Sequence, residues 1–153
     1  MISGPIAAGK STVCGHLLEH LSGYAFVDKA YLKNALKPIG KDEAKKIAAE
    51  ACSLMVDRLM EAGKNILVHE LSMKNLGETV KKYDYECCCF YLKCSPETSV
   101  KRDEARVKKS HNPEYVISTH SKVLPQEGEI IINTEEKTIE ETVDYILKKI
   151  EYL

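Results

Sequence analysis

Gly4 to Thr12 has the sequence GPIAAGKST, which fits a phosphate-binding loop: Gly, four residues of any type, Gly, Lys, then Ser or Thr. Two glycines let the backbone curl so that its N–H groups point at one anion, and the following helix offers its positive N-terminal end to the same anion. Lys10 then reaches the outer phosphates of a nucleotide, and the Ser11 hydroxyl is a candidate Mg²⁺ ligand. The other candidate nucleotide contacts in the loop are Gly4, Pro5, Ile6, Ala7, Ala8, Gly9 and Thr12. A chance match at four specified positions occurs in only on the order of 1% of chains this long.

The residues on either side of this loop predict the strand and helix that such a loop requires. From Ser11 to Leu21, apolar residues recur with the 3.6-residue period of an amphipathic helix. Upstream, only Met1 to Ser3 is available for a strand, which amounts to roughly 10 Å at about 3.3 Å per residue. We therefore expect a short first strand, then the loop, then a helix.

The length and composition indicate one globular domain spanning residues 1–153. Hydrophobic residues make up 44% and charged residues 29%, which argues against disordered and membrane classes. No apolar run approaches the roughly 18 residues of a membrane helix. A cleavable signal peptide is not expected, because cleavage would destroy the phosphate loop. These observations predict a cytoplasmic protein, either a monomer or a homodimer.

The net charge and the cysteines restrict the choice of partners further. A net charge of −1 gives the whole chain no attraction for a polyanion, so nucleic acid is a disfavoured partner, although not an impossible one. Four of the six cysteines lie in or beside one apolar stretch, Cys87 to Cys94, and no CxxC pair occurs. We expect buried free thiols in a reducing compartment, because free cysteine packs as a small hydrophobe.

Apolar runs and helical periods alternate along the rest of the chain. The expected strands are Met1–Ser3, Tyr24–Asp28, Ile66–Val68, Glu86–Lys93 and Glu129–Asn133. The expected helices are Ser11–Leu21, Ala30–Leu36, Lys41–Ala62, Asn75–Tyr83, Ser95 to about Lys109, and one after Thr138. This order predicts an α/β fold with a parallel sheet, helices on both faces and right-handed crossovers. Ligands bind beyond the carboxyl ends of such strands, where Gly4, Asp28 and Glu70 are expected to converge.

Several helices carry more detailed predictions. Asn75 with Glu78, and Thr138 with Glu141, have the spacing of capping pairs. In the long helix, the expected apolar face comprises Ala44, Ile47, Ala48, Ala51, Met55, Leu59 and Ala62. In the helix after Ser95, the expected basic stripe comprises Arg102, Arg106 and Lys109.

In this order the motifs resemble those of the small P-loop kinases of the nucleoside-monophosphate-kinase type. That group includes shikimate, adenylylsulfate and gluconate kinases, chloramphenicol phosphotransferase and the kinase module of polynucleotide kinases. The resemblance covers nearly the whole chain and rests on GPIAAGKST, on Asp28, on YLKCSPETSVKRDEAR from Tyr91, and on INTEEKTIEETVDYIL from Ile132. It implies a three-layer α/β/α P-loop NTPase fold with a five-stranded parallel sheet, a short helical lid at about 100–125, and ATP with Mg²⁺ as cofactors.

The resemblance also implies roles for individual residues. Arg102 and Arg106 would lie on the lid and close over the transferred phosphoryl group, since phosphoryl transfer depends on positioning and charge stabilisation. The structural alternative for both is a solvated helix face. Asp28 would orient the attacking hydroxyl or take its proton, and its structural alternative is a cap on the next helix. Asn133 and Thr134 would line the adenine pocket.

The chain departs from its relatives at two places. Several members carry Arg three residues after the strand-ending Asp, where this chain has Tyr31. Many have Asp where the third strand here ends in His69 and Glu70, which leaves open whether either residue contributes to the magnesium surroundings. A GTPase is disfavoured, because the sequence contains neither Asp-x-x-Gly nor Asn-Lys-x-Asp.

Three functions remain as hypotheses. The leading one is an ATP-dependent kinase, a phosphotransferase that moves the γ-phosphoryl group to a hydroxyl or phosphate of a small metabolite or nucleotide. The second is a polynucleotide 5′-hydroxyl kinase, suggested by the basic cluster Lys101, Arg102, Arg106, Lys108 and Lys109. The third is a nucleotide-binding regulatory module without transfer activity.

Overall fold

A computed structural model of the chain describes residues 1–71, 73–106 and 111–151, apart from the side chains of residues 73–75. Within these residues the strands are β1 Ile2–Ser3, β2 Ala25–Asp28, β3 Ile66–His69, β4 Phe90–Lys93 and β5 Ile130–Asn133. The α-helices are α1 Lys10–His20, α2 Lys29–Ala35, α3 Lys41–Glu61, α4 Met73–Lys82, α5 Pro96–Glu104, α6 Pro113–Lys122 and α7 Ile139–Ile150. A 3-10 helix at Lys37–Ile39 separates α2 from α3.

The strands form a five-stranded parallel sheet in the order β2-β3-β1-β4-β5, which confirms the predicted α/β class. The first strand is only two residues long, as its sequence allowed. The chain divides into two compact units. Unit 1 comprises Met1–Ile2 and Leu18–Cys87, and unit 2 comprises Ser3–Leu17 and Cys88–Leu153. The single domain expected from the length stays a prediction.

Unit 1 is built around β3, which pairs with β2 from Ala25↔Ile66 to Asp28↔His69 and with β1 at Ile2↔His69. The long helix α3 packs against β2 and β3 and against α2 and α4. Its buried residues are Ala44, Ala48, Cys52, Val56 and Met60. The predicted helix is confirmed, but its predicted face is partly wrong, because Ile47 and Met55 are exposed. Apolar residues lie on more than one face of this helix, and the alanine-containing stripe is the one that packs.

Unit 2 is built around the pair of β4 and β5, which runs in register from Phe90↔Ile130 to Lys93↔Asn133. Its largest fully buried side chains are Leu17, Phe90, Leu92, Val116, Ile132, Thr142 and Ile146. Helix α5 starts as predicted, with the Ser95 hydroxyl accepting from the Thr98 N–H at 3.2 Å and Pro96 in the first turn. Helix α7 starts with the predicted capping box of Thr138 and Glu141.

Three local predictions are wrong. Asn75 does not cap α4, because that helix already begins at Met73. Helix α5 ends at Glu104, so Arg106 lies beyond it and the helical basic stripe does not form; Lys109 lies outside the described residues. Strand β4 begins only at Phe90, and Cys87 before it is an exposed thiol. The apolar run therefore continues three residues upstream of the strand. None of the described helices is long and apolar enough to span a membrane.

Candidate functional site

The phosphate loop of unit 2 has the backbone that its glycines predicted. Gly4 has φ +138°, and a Cβ on it would lie 2.4 Å from the carbonyl oxygen of Leu92, so only glycine fits against β4. Ala7 has φ 60° and Gly9 has φ 94°, both in the left-handed region. Successive turns of this kind direct backbone N–H groups into a concavity that binds anions.

Helix α1 begins at Lys10, within the loop motif, and the Val13 N–H donates to the Gly9 carbonyl at 2.9 Å. Lys10 is 7% exposed, and its ammonium donates to the Pro5 carbonyl at 2.8 Å. The cation thus lies across its own loop, where burial strengthens its interaction with an anion. Ser11 and Thr12 are exposed on the first turn. A helix N-terminus and a buried cation both attract anions, so this end of the loop is a candidate anion-binding site.

A cavity of about 560 Å³ lies in unit 2, within the usual range of about 300–1,000 Å³ for small-molecule pockets. Three groups of described residues line this cavity. The first comes from the loop and α1, the second is a pair of arginines, and the third follows β5: Ala7, Ala8, Gly9, Thr12 and Val13; Arg102 and Arg106; and Thr134, Lys137, Thr138, Ile139, Glu140 and Thr142. Three of these side chains are cationic and one is anionic. The cavity therefore favours a ligand that is negatively charged.

Both predicted arginines border this cavity, and each is oriented by its own chain. The Arg102 guanidinium donates to the Thr134 hydroxyl at 2.9 Å and to the Thr134 carbonyl at 2.7 Å. Arg106 lies 3.1 Å from the buried carboxylate of Asp103. Arg102 is thus part of the cavity wall and not a solvated helix face. The role of both arginines in phosphoryl transfer stays a prediction.

The segment after β5 is fixed to the start of α5. The Glu135 carboxylate accepts from the Ser95 hydroxyl at 2.7 Å, from the Ser95 N–H at 3.2 Å and from the Thr98 hydroxyl. These bonds, those from Thr98 and Ser95 above all, lower the pKa of Glu135 below its ordinary value. With Arg102 bonded to Thr134, they hold one wall of the cavity in place.

The structure places the two residues predicted for the adenine pocket differently with respect to the cavity. Thr134 lines the cavity, whereas Asn133 does not lie among the described lining residues and accepts from the Glu135 N–H at 3.2 Å. Lys137 and Glu140 line the cavity without having been predicted as site residues. The capping box at Thr138 marked the start of α7, but not that this start opens onto the cavity.

A second group of polar residues lies in unit 1, where β2 and β3 end. Oδ1 of Asp28 accepts from the Ala30 N–H at 2.8 Å and from the Tyr31 N–H at 3.1 Å, so Asp28 caps α2. The same oxygen lies 2.9 Å from Nδ1 of His69. The structural alternative for Asp28 is therefore confirmed, and its role as an acceptor-orienting group stays a prediction.

The neighbours of Asp28 are charged and partly strained. Burial lowers the pKa of Lys29, although the negative charge of Glu70 opposes this effect. Glu70 has φ 62°, a left-handed conformation that non-glycine residues seldom adopt, and its N–H donates to the Ile2 carbonyl at 3.2 Å. Tyr31, at the position where relatives carry Arg, is 76% exposed. A contribution of Glu70 or His69 to the magnesium surroundings stays a prediction.

Few side chains among the described residues are placed to bind a metal ion together. No group of three or more His, Cys, Asp or Glu side chains suited to a metal ion occurs in the described part of the chain. Ser11, exposed on the first turn of α1, remains the candidate Mg²⁺ ligand. One protein oxygen suits Mg²⁺ that is bound mainly through substrate phosphates and water.

The parallel sheet, the phosphate loop and the cavity beside it define a P-loop protein with a kinase-like fold of the nucleoside-monophosphate-kinase type. The chain belongs to the AAA domain family, whose model matches residues 1–137. No curated protein matches the chain. The P-loop kinase-like fold implies nucleotide binding, since backbone N–H groups of this loop motif cradle the phosphates of a nucleotide.

Solved structures with the same fold include several kinases. The tunicamycin resistance protein of Deinococcus radiodurans has a TM-score of 0.71 and 16% identity, over 97% of this chain and 92% of that one. A sugar kinase from Janibacter sp. has a TM-score of 0.66 and 16% identity, over 98% of this chain and 92% of that one. Deoxyadenosine kinase from M. mycoides, with bound dATP, has a TM-score of 0.54 and 14% identity, over 98% and 97%. At these identities the likeness shows the fold alone.

Proposed function

We propose that this protein is a kinase that transfers the γ-phosphoryl group of Mg·ATP to a small metabolite or nucleotide. The observation that carries this proposal is the junction of the phosphate loop with the cationic cavity in unit 2. Ala7, Ala8 and Gly9 of the loop form one wall, and Arg102 and Arg106 form another. A nucleotide whose phosphates occupy the loop could extend its base toward the segment after β5.

The charges fit the chemistry of phosphoryl transfer. This reaction requires the protein mainly to position the reactants and to stabilise charge that spreads over the transferred group. Lys10 and the loop N–H groups would bind the phosphates, and Arg102 and Arg106 would contribute positive charge near them. Mg²⁺, with Ser11 as a ligand, would neutralise phosphate charge when bound.

We assign the acceptor to a hydroxyl first and to a phosphate second. Two structural neighbours have the names of kinases for a sugar and for deoxyadenosine, both of which offer hydroxyl groups. The exposed Tyr31 stands where relatives carry an Arg that would favour an anionic acceptor. Asp28 is the group proposed to orient the hydroxyl, because it is the carboxylate at the end of β2.

Nucleotide binding is tested by a thermal shift with Mg·ATP. At a hundredfold excess over Kd, binding should add about 2.7 kcal/mol, which raises the melting temperature by roughly 5–10 °C. Lys10→Ala should lose the shift, while Lys46→Ala, a matched change at an exposed position on α3, should keep it. No shift in the wild type, or an equal shift in Lys10→Ala, would contradict the proposed nucleotide site.

Transfer is tested by ADP release from Mg·ATP in the presence of nucleosides, sugars, hydroxyl-bearing antibiotics and nucleoside monophosphates. Acceptor-stimulated release is the expected result. Tight ATP binding with no stimulation by any acceptor would instead identify a regulatory module. Activity on a 5′-hydroxyl oligonucleotide that falls steeply with salt would identify a polynucleotide kinase.

A further inference from the structure

Asp103 is a buried carboxylate in the last turn of α5, within unit 2. Its side chain is only 2% exposed, although aspartate is almost never fully buried unless it is paired. The last turn of a helix also carries the negative end of the helix dipole, which disfavours an acidic side chain there. An apolar residue of similar size would avoid both costs, so we ask what the carboxylate does at this position.

Asp103 holds Arg106 in two ways. Its Oδ1 lies 3.1 Å from Nη1 of Arg106, three residues further along the chain. The Arg106 N–H also donates to the Asp103 carbonyl at 3.3 Å, so the backbone and the side chain of Arg106 both contact this one residue. Nδ1 of His111 lies 3.8 Å from the same Oδ1, which is too far for a hydrogen bond. The ion pair with Arg106 is therefore the closer of these two described contacts.

The end of helix α5 does not need this ion pair. The Ala105 N–H donates to the Lys101 carbonyl at 3.1 Å, so a backbone bond already closes the last turn. Arg106 lies beyond the helix, where a long side chain has many rotamers to lose. This side chain is 47% exposed, yet it lines the cavity beside the phosphate loop. The effect of the buried carboxylate is to keep the Arg106 guanidinium at the cavity wall.

We infer that Asp103 is a positioning residue, which holds Arg106 where its guanidinium meets the phosphate oxygens of a nucleotide in this cavity. The inference rests on the proposed kinase function, and each of these residues belongs to unit 2. A guanidinium that is in place before reaction loses nothing to reorientation when charge spreads over the transferred group. Arg102 lines the same cavity but bonds to the hydroxyl and carbonyl of Thr134. The described anchor of Arg106 is thus charged, whereas that of Arg102 is neutral.

The kinetic test compares Asp103→Leu, which removes the acceptor oxygens, with Asp103→Asn, whose amide oxygen can still accept from Arg106. The acceptor is the compound of the ADP-release panel that the wild type phosphorylates fastest. Asp103→Leu should lower kcat by about 10–100-fold and leave KM for ATP within about twofold, since small misplacement of a catalytic group costs this much. Asp103→Asn should lose less, and Glu104→Gln, at the exposed neighbouring carboxylate, should match the wild type. Wild-type kcat in Asp103→Leu would overturn the inference.

A double-mutant comparison separates positioning from general damage. Arg106→Ala should itself lower kcat by about tenfold or more. Adding Asp103→Leu should then lower kcat little further, because the residue that Asp103 positions is already absent. Full multiplication of the two effects would contradict the inference. So would losses of kcat in both Asp103 variants that simply follow their melting temperatures.

Chemical rescue gives a readout that a purely structural Asp103 would not change. Guanidinium chloride, at a concentration too low to unfold the protein, should restore part of the kcat lost in Arg106→Ala. The reason is that the Asp103 carboxylate can bind the free cation in place of the side chain. Sodium chloride at the same concentration should restore nothing, and neither salt should rescue Arg106→Ala combined with Asp103→Leu. No rescue of Arg106→Ala, or equal rescue with and without Asp103, would show that Asp103 does not position this cation.

Failure of the inference can be told apart from failure of the proposed function. If the protein binds Mg·ATP but phosphorylates no acceptor, the proposed function fails, and the positioning role of Asp103 fails with it. If an acceptor is phosphorylated and Asp103→Leu keeps the wild-type kcat, the proposed function stands and only the role of Asp103 is wrong.

Discussion

Replacing Gly4 with alanine tests the contact that shapes the phosphate loop. The added Cβ would lie 2.4 Å from the Leu92 carbonyl oxygen and 3.3 Å from its carbonyl carbon. Leu92 is fully buried, and β4 is held in register by β5 at Leu92↔Ile132, so this backbone cannot move aside easily. The φ of +138° adds strain of its own for an L-residue. Both effects act against the folded state.

The expected magnitude follows from these two effects. Backbone strain of this kind costs about 1–3 kcal/mol, and overpacking against a fixed neighbour costs a similar amount. A loss of roughly 2–6 kcal/mol is a large part of the 5–15 kcal/mol that is typical of a domain. It should lower the melting temperature by about 5–20 °C. Urea denaturation followed by circular dichroism measures the loss directly.

Two further glycines provide the controls. Gly9 has φ +94° but no heavy atom within 4 Å of a built Cβ, so Gly9→Ala tests strain without the contact. Gly15 lies inside α1 with open space, so Gly15→Ala should stabilise the protein by about 0.5–1 kcal/mol. Gly4→Ala should be the least stable of the three. A Gly4→Ala protein as stable as Gly9→Ala would refute the claim that the Leu92 carbonyl excludes a side chain.

Two other predictions concern residues away from the loop. Arg102→Ala removes both hydrogen bonds to Thr134 and should lower the free energy of unfolding, measured by urea denaturation, by about 1–3 kcal/mol. The control Arg58→Ala breaks only the exposed ion pair with Glu61 and should be as stable as the wild type. Equal stability of the two variants would contradict this prediction. Burial lowers the pKa of His120 below 6.5, so the unfolded chain binds its proton first as the pH falls. The stability that His120 contributes is therefore complete above about pH 6.5 and is lost as the pH falls through the lowered pKa. His120→Gln should flatten the dependence of the melting temperature on pH below that value, and an unchanged slope would disprove the assignment.

The sequence alone determined what depends on a few neighbouring residues. The loop from Gly4 to Thr12, the α5 start at Ser95 and the capping box at Thr138 all formed where the sequence placed them. Each depends on local backbone bonding within about one turn, which residue type and spacing decide. The alternation of strands and helices likewise gave the parallel sheet, because local periodicity limits the possible topologies.

The tertiary structure decided what depends on residues far apart in the chain. Which face of α3 is buried, the two bonds from Arg102 to Thr134, and the meeting of His69 with Asp28 could not be predicted from their own segments. The partners in those bonds are separated by 32 and 41 residues. The residue pattern of one segment does not identify a hydrogen-bond partner that lies so far away in the sequence. Such contacts form only when strand register and helix packing bring the segments together, because hydrogen bonds and close packing act over a few ångströms.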